Sequence, residues 1–274
     1  MIKFYHRIKG IGINNVRLVR IGYLSKKGER IMDLKGKNAL VTGSGIRLGR
    51  AIALALGKAG CNLALHYNSS VESVAKVKSD LEKMGTKAHV FQQDLEDINH
   101  VQDLMGRVCS EFGHIDILIN NAGIYPSGNG KSATPEKISR VFNVNLFSAW
   151  LLISAFAQQL PRDMQGKVIN ISDSKVFRYG TDHFSYRVTK QAINAITAMF
   201  ALELAPNITV NAIAPGTMLP LQGFEHIDLQ VVADRQIPLR QIGSPEIIAQ
   251  NVLHILSQDF MTGHVIRVDG GEFI

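Results

Sequence analysis

The stretch Thr42-Gly43-Ser44-Gly45-Ile46-Arg47-Leu48-Gly49 lies between a short apolar run, residues 39–42, and an amphipathic run, residues 49–59. A strand that ends on glycine and a helix that opens on glycine form the setting in which backbone N–H groups and a helix N-terminus cradle a phosphate. Gly43 permits a tight turn, and Gly49 lets the helix approach the sheet closely. The spacing G-x-x-x-R-x-G departs from the dinucleotide pattern G-x-G-x-x-G, and Arg47 stands where a third glycine is expected. Alone the loop is weak evidence, since glycine-rich turns join strands to helices in many folds that bind nothing.

The pattern continues in both directions from this loop. Residues 62–66, 89–92, 115–120, 167–172, 208–213 and 265–268 read as further strands, while residues 71–84, 98–112 and 183–205 carry apolar side chains at helical spacing. Strand followed by helix, repeated, predicts a single-domain, Rossmann-like, doubly wound α/β fold. Its parallel sheet should have about seven strands with helices on both faces. Ligands in such a fold belong at the carboxyl ends of the strands. The longest irregular stretch, residues 215–241, is the expected lid, with Met218, Leu219 and Phe224 setting the choice of ligand.

Composition narrows the class. The chain has 274 residues, 46% of them hydrophobic, enough to bury one large core. No segment approaches the unbroken apolar run needed to span a bilayer. Cys61 and Cys109 are too few for a disulfide framework and read as packed thiols in a reducing, cytoplasmic compartment. The nine histidines form no close ligand cluster, so no metal is expected. The net charge of +7 belongs to residues 1–31, which hold eight basic residues against Glu29, while the remainder is balanced. That extension resembles a transit peptide in its charge but lacks the apolar core of a secretory signal. Alternatively it lies upstream of the true start, Met32, so that the chain divides into a basic extension, 1–31, and a folded domain, 32–274. Neither nucleic acid nor membrane is an expected partner.

The second strand ends His66-Tyr67-Asn68-Ser69-Ser70, with no acid before Glu72. An acid near this point would hold a ribose 2′-hydroxyl and repel a 2′-phosphate. Asn68 and Ser69 are donors instead, and Arg47 can reach the same phosphate, which favours NADPH over NADH. Asn68 and Ser69 also suit a cap for the helix starting near Val71. Tyr186 and Lys190 lie four residues apart on the helix expected over 183–205 and so share a face. A free phenol has a pKa near 10, and a neighbouring ammonium would favour the phenolate, giving a general acid able to exchange a proton near neutrality.

Six motifs occur in order: the loop from Thr42 to Gly49; Asn120-Asn121-Ala122-Gly123; Asn143-Val144-Asn145-Leu146; Tyr186-Arg187-Val188-Thr189-Lys190; Ala214-Pro215-Gly216; and Val268-Asp269-Gly270-Gly271. With them the sequence resembles the short-chain dehydrogenase/reductase family from about residue 36 to the C-terminus. The resemblance implies an NADP(H)-dependent oxidoreductase in which Tyr186 donates the proton, Lys190 holds the nicotinamide ribose and tunes the tyrosine, and Asn145 keeps a water for proton relay. It places the cofactor against Gly43, Arg47, Leu48 and Gly49, then against His66, Asn68 and Ser69 at the second strand. Asp94 would contact the adenine beside Leu95, while Ala122, Gly123, Pro215 and Gly216 complete the cofactor cleft. Asn121 lies there too, tying strands together rather than touching substrate. A homotetramer, or less often a homodimer, is implied, and Trp150 reads as helix packing near a subunit contact.

Members commonly carry a serine thirteen residues before the tyrosine, to donate to a substrate carbonyl. Here that position is Asp173. Ionised, it has no proton to give, and two like charges about 4 Å apart cost roughly 4 kcal/mol at an effective dielectric near 20, which penalises an alkoxide. A carboxylate suits instead a nitrogen heterocycle whose ring donors it accepts. Arg47 in the loop, Asp173 for serine, and Tyr125 after Asn-Ala-Gly make the chain look like the pteridine reductases and bacterial dihydromonapterin reductase. In that subgroup the pterin lies between the nicotinamide and an aromatic ring, the position Tyr125 matches. Gly123, where the subgroup can have serine, is a mismatch. Arg47, Tyr125, Asp173 and Tyr186 are therefore the expected substrate contacts, and Tyr186, Lys190, Asp173 and Asn145 the catalytic set. Two other readings stay open. One is a short-chain carbonyl reductase of a ketone or 3-oxoacyl substrate, with Ser172 or Ser174 supplying the hydroxyl. The other is a non-catalytic, cofactor-binding regulatory protein. Arg47 could equally be a structural ion pair, and Asp173 a strand-end cap.

Overall fold

A computed structural model describes residues 32–220 and 228–274. The basic extension 1–31 and lid residue Phe224 lie outside the described residues. Seven strands form one parallel sheet: β1 (Asn38–Val41), β2 (Asn62–Tyr67), β3 (Ala88–Gln92), β4 (Ile117–Asn120), β5 (Gly166–Ile171), β6 (Ile208–Pro215) and β7 (Val265–Val268). Their spatial order is β3-β2-β1-β4-β5-β6-β7, and every pairing is parallel. The order reverses between β1 and β4, so a crevice opens there at the carboxyl ends.

Strand alternation explains how both faces are covered. Ala39 and Val41, Leu63 and Leu65, and Ile117 and Ile119 point to one face. There they meet α1 (Arg47–Lys58), α2 (Val71–Lys83) and α8 (Pro245–Leu256). Leu40, Ala64 and Leu118 point to the other face, against α3 (Val101–Phe112), α5 (Ser148–Gln159) and α6 (Phe184–Leu204). Fully buried strands are why the sequence runs are continuously apolar rather than alternating.

The sequence left three helices unread. In α8, Ser244 caps the first turn by accepting from the Ile247 N–H, and Pro245 follows at the first helical position. In α4 (Pro135–Phe142), Thr134 caps in the same way. The supposed irregular lid contains α7 (Leu229–Gln236), capped by Asp228. From α4 through a π-helical turn (Asn143–Phe147) and α5, Pro135–Gln159 is long and apolar enough, by length and composition, to cross a membrane. Half of its most apolar window is buried inside the protein, as suits a helix covering a sheet.

The glycine loop is held from below by one imidazole. His66, 1% exposed at the end of β2, accepts from the Gly43 N–H through Nδ1 at 3.1 Å and lies 2.9 Å through Nε2 from the Gln93 carbonyl. Only the neutral tautomer with its proton on Nε2 satisfies both partners. Burial agrees, pushing the His66 pKa from 6.5 down to about 4. A depressed histidine contributes stability that is complete above the ordinary value and lost as pH falls through the folded one. Between pH 6.5 and about 4, wild-type protein should lose on the order of 3 kcal/mol more unfolding free energy than His66→Gln, measured by urea denaturation. Parallel losses in the two proteins would refute this role for His66.

Candidate active site

At the carboxyl ends of the strands a cavity of about 1160 Å³ opens over the β1/β4 crevice. Every residue assigned from the sequence to cofactor or substrate lines it, from Gly43 in the loop to Gly216 after β6. Asn145, assigned to proton relay, does not.

The loop conformation answers why arginine replaces a glycine. Arg47 has φ of 51°, the left-handed region that glycine enters freely and other residues enter at about 1–3 kcal/mol. Its guanidinium donates to the Pro220 carbonyl at 2.8 Å, bridging from the loop to the segment after β6. That bond offsets the strain, and Arg47 makes no ion pair among the described residues. Gly43 is left-handed as well, with φ of 63°, and a side chain at Gly49 would stand 2.1 Å from the Gly43 carbonyl oxygen. The helix beginning at Arg47 has no side-chain cap and no acid in its first turn. Its N–H groups and positive end are therefore left for an anion, so this end of the cavity fits a dinucleotide phosphate.

Asn68 and Ser69 line the same end. Neither caps α2, whose first turn has no side-chain cap, so the capping alternative is not realised. Asp94 and Leu95 lie beyond them, with Asp94 Oδ1 accepting from the Glu96 N–H at 2.9 Å. Asn121 does tie strands together: its amide donates to the Thr42 and Gly43 carbonyls at 2.8 and 3.2 Å. Gly123 has a physical reason to lack a side chain, since a Cβ there would meet Asn145 Oδ1 at 3.3 Å. Gly216 is likewise confined, its Cβ position lying 2.6 Å from that of Asp269.

At the other end, Tyr186 donates through its hydroxyl to Asp173 Oδ2 at 2.6 Å, the two residues being thirteen apart. Asp173 Oδ1 accepts from the Lys175 N–H at 2.7 Å, so the residue is also a strand-end cap. Both serines that might have replaced it donate elsewhere. Ser172 gives its proton to Asn194 Oδ1 at 2.6 Å, and Ser174, fully buried, gives its own to the Ala214 carbonyl at 2.6 Å.

One expectation about the catalytic set, the ionisation of Tyr186, is corrected. Burial first, and the Asp173 carboxylate second, push the Tyr186 phenol well above its ordinary pKa. Lys190 does not bring it to neutrality, because the Lys190 ammonium is 5.7 Å from the ring centre and donates to the Ile171 carbonyl at 2.6 Å. Burial lowers Lys190 itself to about 8, partly opposed by Asp173. Tyr186 at rest is thus a protonated donor rather than a phenolate. Asn145 is buried in the π-helical turn, where it accepts from the Ile124 N–H at 2.8 Å and donates to the Ile124 carbonyl at 2.9 Å. Its amide thereby holds the chain after β4.

Tyr125 stands beside this pair. Its ring meets Tyr186 edge-on with centroids 4.5 Å apart and stacks on His183 at 3.8 Å. Among the cavity residues that escaped the sequence reading are Lys175, Glu272 and Phe273. Glu272 accepts from both the N–H and the hydroxyl of Thr217 at 2.8 and 2.9 Å, fixing the root of the segment after β6. The nearby Asp-Gly-Gly motif and the two-residue offset from Asp173 were the available signals.

Known proteins are similar to this chain over most of its length. A family model described as enoyl-(acyl carrier protein) reductase matches residues 43–272. Versicolorin reductase 1 of Aspergillus parasiticus is 34% identical over 259 residues, covering 88% of this chain and 97% of the relative. The 3-oxoacyl-(acyl-carrier-protein) reductase FabG of Staphylococcus epidermidis is 31% identical over 242 residues, covering 87% of this chain and 99% of the relative. The crystal structure of FolM alternative dihydrofolate reductase 1 from Brucella canis, complexed with NADP, superposes with a TM-score of 0.84 at 30% identity, covering 88% of this chain and 95% of that one. By these matches the chain belongs to the short-chain dehydrogenase/reductase family of oxidoreductases.

Proposed function

We propose that the protein is an NADPH-dependent reductase of dihydropterins, of the dihydromonapterin, dihydrobiopterin or dihydrofolate type. The observation that carries this reading is the 2.6 Å bond from Tyr186 to Asp173, at the place where a carbonyl reductase needs a neutral donor. Similarity to a structure described as an alternative dihydrofolate reductase complexed with NADP supports it. NADP(H) is the cofactor: Arg47, Asn68 and Ser69 offer donors to a 2′-phosphate, and the end of β2 carries no acid.

Held by the glycine loop with Arg47, Asn68 and Ser69, reduced NADP would provide the hydride for carbon of the ring C=N bond. The chain's own groups handle the proton. Asp173 accepts from ring N–H or amino donors, which takes the place of its bond from Tyr186 and frees the phenol. Tyr186 then gives its proton to the nitrogen beside the reduced carbon. The Lys190 ammonium, 5.7 Å from the phenol ring centre and charged below about pH 8, offsets from that distance part of the negative charge left on its oxygen. An oxyanion on a ketone carbon would instead face Asp173, at roughly the 4 kcal/mol penalty of two like charges about 4 Å apart.

A second reading is favoured by the names of the sequence relatives, a versicolorin reductase and a 3-oxoacyl reductase: reduction of a ketone or 3-oxoacyl group. For assembly we propose a homotetramer or homodimer through α5 and α6. Trp150, packed edge-on against Phe200, is exposed there with Met199 and Leu202.

NADPH oxidation followed by absorbance separates the two readings. Asp173→Ser should cut kcat/KM for a dihydropterin by roughly 100-fold or more while leaving ketone reduction unchanged or improved. The opposite pattern would establish the carbonyl reductase. Tyr186→Phe should lower kcat by roughly 100- to 10,000-fold with NADPH binding retained, the size of a lost general acid. Unchanged turnover in that variant would remove Tyr186 from the chemistry.

A further inference from the structure

The Lys175 side chain is used by nothing described so far, yet the residue touches both sides of the reacting end of the cavity. It lies on a short 3₁₀ turn, Ser174–Phe177. Its main-chain N–H holds Asp173 Oδ1 at 2.7 Å, which leaves Oδ2 turned to Tyr186. Its ammonium reaches the other way, 2.8 Å from the Tyr125 phenol oxygen and 3.1 Å from Asp182 Oδ2. Arg187 closes the ring of contacts by donating to Asp182 Oδ1 and to the Lys175 carbonyl, each at 2.7 Å.

These contacts constrain Tyr125 in two different ways. Stacking on His183, with an interplanar angle of 16°, sets the plane of the ring. The ammonium pins the phenol oxygen, which lies on the ring's flip axis, and so sets where that axis points. Burial disfavours the charge on Lys175, but the hydrogen bonds to Tyr125 and Asp182 outweigh it and raise its pKa. The ion pair with Asp182 is exposed on the carboxylate side, at 52%, and an exposed pair adds little to stability. Orienting Tyr125 is therefore the larger effect of this side chain.

We propose that Lys175 is a specificity-determining positioning residue: it fixes the distance between the Tyr125 wall and the Tyr186–Asp173 pair, so that the cavity accepts a flat heteroaromatic ring and disfavours bulkier, non-planar acceptors. The identity of that ring rests on the dihydropterin reading; the strut itself does not.

A double-mutant cycle on the full chain tests it. The probes are 2,4-diaminopteridine, titrated calorimetrically at saturating NADP⁺, and dihydrobiopterin in NADPH oxidation. Lys175→Met should weaken diaminopteridine binding and raise the dihydrobiopterin KM by about tenfold, the size of one charge-assisted contact, with kcat moving less than KM. Lys175→Arg should restore both to within about threefold, since it keeps the charge and the reach. Because Lys175 acts through the phenol oxygen, adding Tyr125→Phe to Lys175→Met should weaken binding no further than the worse single variant. Lys175→Gln replaces Lys175→Met if that protein has a lowered unfolding midpoint. Single effects that multiply in the double variant, or an unchanged KM in Lys175→Met, overturn the strut. Wild type that neither binds diaminopteridine nor reduces any dihydropterin overturns the dihydropterin reading instead. The same cycle is then read in the KM of the ketone it reduces, where coupling supports the strut and independence overturns it.

Discussion

The Thr42 side chain and main chain join the ends of β1 and β4 just where the order of strands reverses. Its hydroxyl accepts from the Asn121 and Ala122 N–H groups at 2.9 and 3.0 Å, while Asn121 returns a hydrogen bond from its amide to the Thr42 carbonyl. Two strands that diverge at their carboxyl ends leave unpaired backbone groups, and buried ones cost free energy unless satisfied. This exchange satisfies them without closing the crevice. On one side it sets the glycine loop; on the other it sets the chain that carries Gly123 and Tyr125. The cavity is thus a consequence of sheet topology held open by a few side-chain bonds, with His66 supporting it from beneath.

Within that frame the reacting end is governed by charge. A phenol buried beside a carboxylate keeps its proton, and a buried lysine whose pKa is lowered to about 8 is close to losing its own. The two displacements oppose each other in sign and arise from the same cause, removal from water. Asp173 joins them, since it raises both neighbours. On the proposed dihydropterin reading, the phenol releases its proton only when a substrate replaces the hydrogen bond that holds it. Serine hydroxyls lie on either side of Asp173 in sequence, but alternation along the strand end sends them to Asn194 and Ala214.

Much of this was legible in the sequence because it depends on periodicity and on residues with one physical use. Seven strands and the helix bearing Tyr186 and Lys190 follow from apolar runs and i, i+4 spacing. Gly43 and Gly49 were readable because each excludes a side chain for steric reasons. What escaped depends on three-dimensional partners. Asn145 carries a motif, but only the fold shows its amide bonded to Ile124. Arg47 signals a phosphate, yet its bond to Pro220 spans a separation no local pattern encodes. The Tyr186 pKa was misjudged because proximity on a helix says nothing about which neighbour the hydroxyl points to. Helices α4, α7 and α8 were missed although their caps, Thr134, Asp228 and Ser244, are ordinary start signals; long apolar runs outweighed short polar punctuation.

The arginine that bridges the cavity mouth has a thermodynamic consequence for whatever binds there. A free arginine surrenders up to about 2 kcal/mol of rotamer entropy when a ligand immobilises it. Arg47 has surrendered part of that already, to a main-chain carbonyl and a left-handed backbone. An anion reaching the loop meets a guanidinium whose ordering was begun during folding, and recognition starts from partial preorganisation. The same economy ties the strand-β6 side of the mouth to the phosphate end, so that a disturbance at Pro220 is felt at the far wall as a loss of affinity.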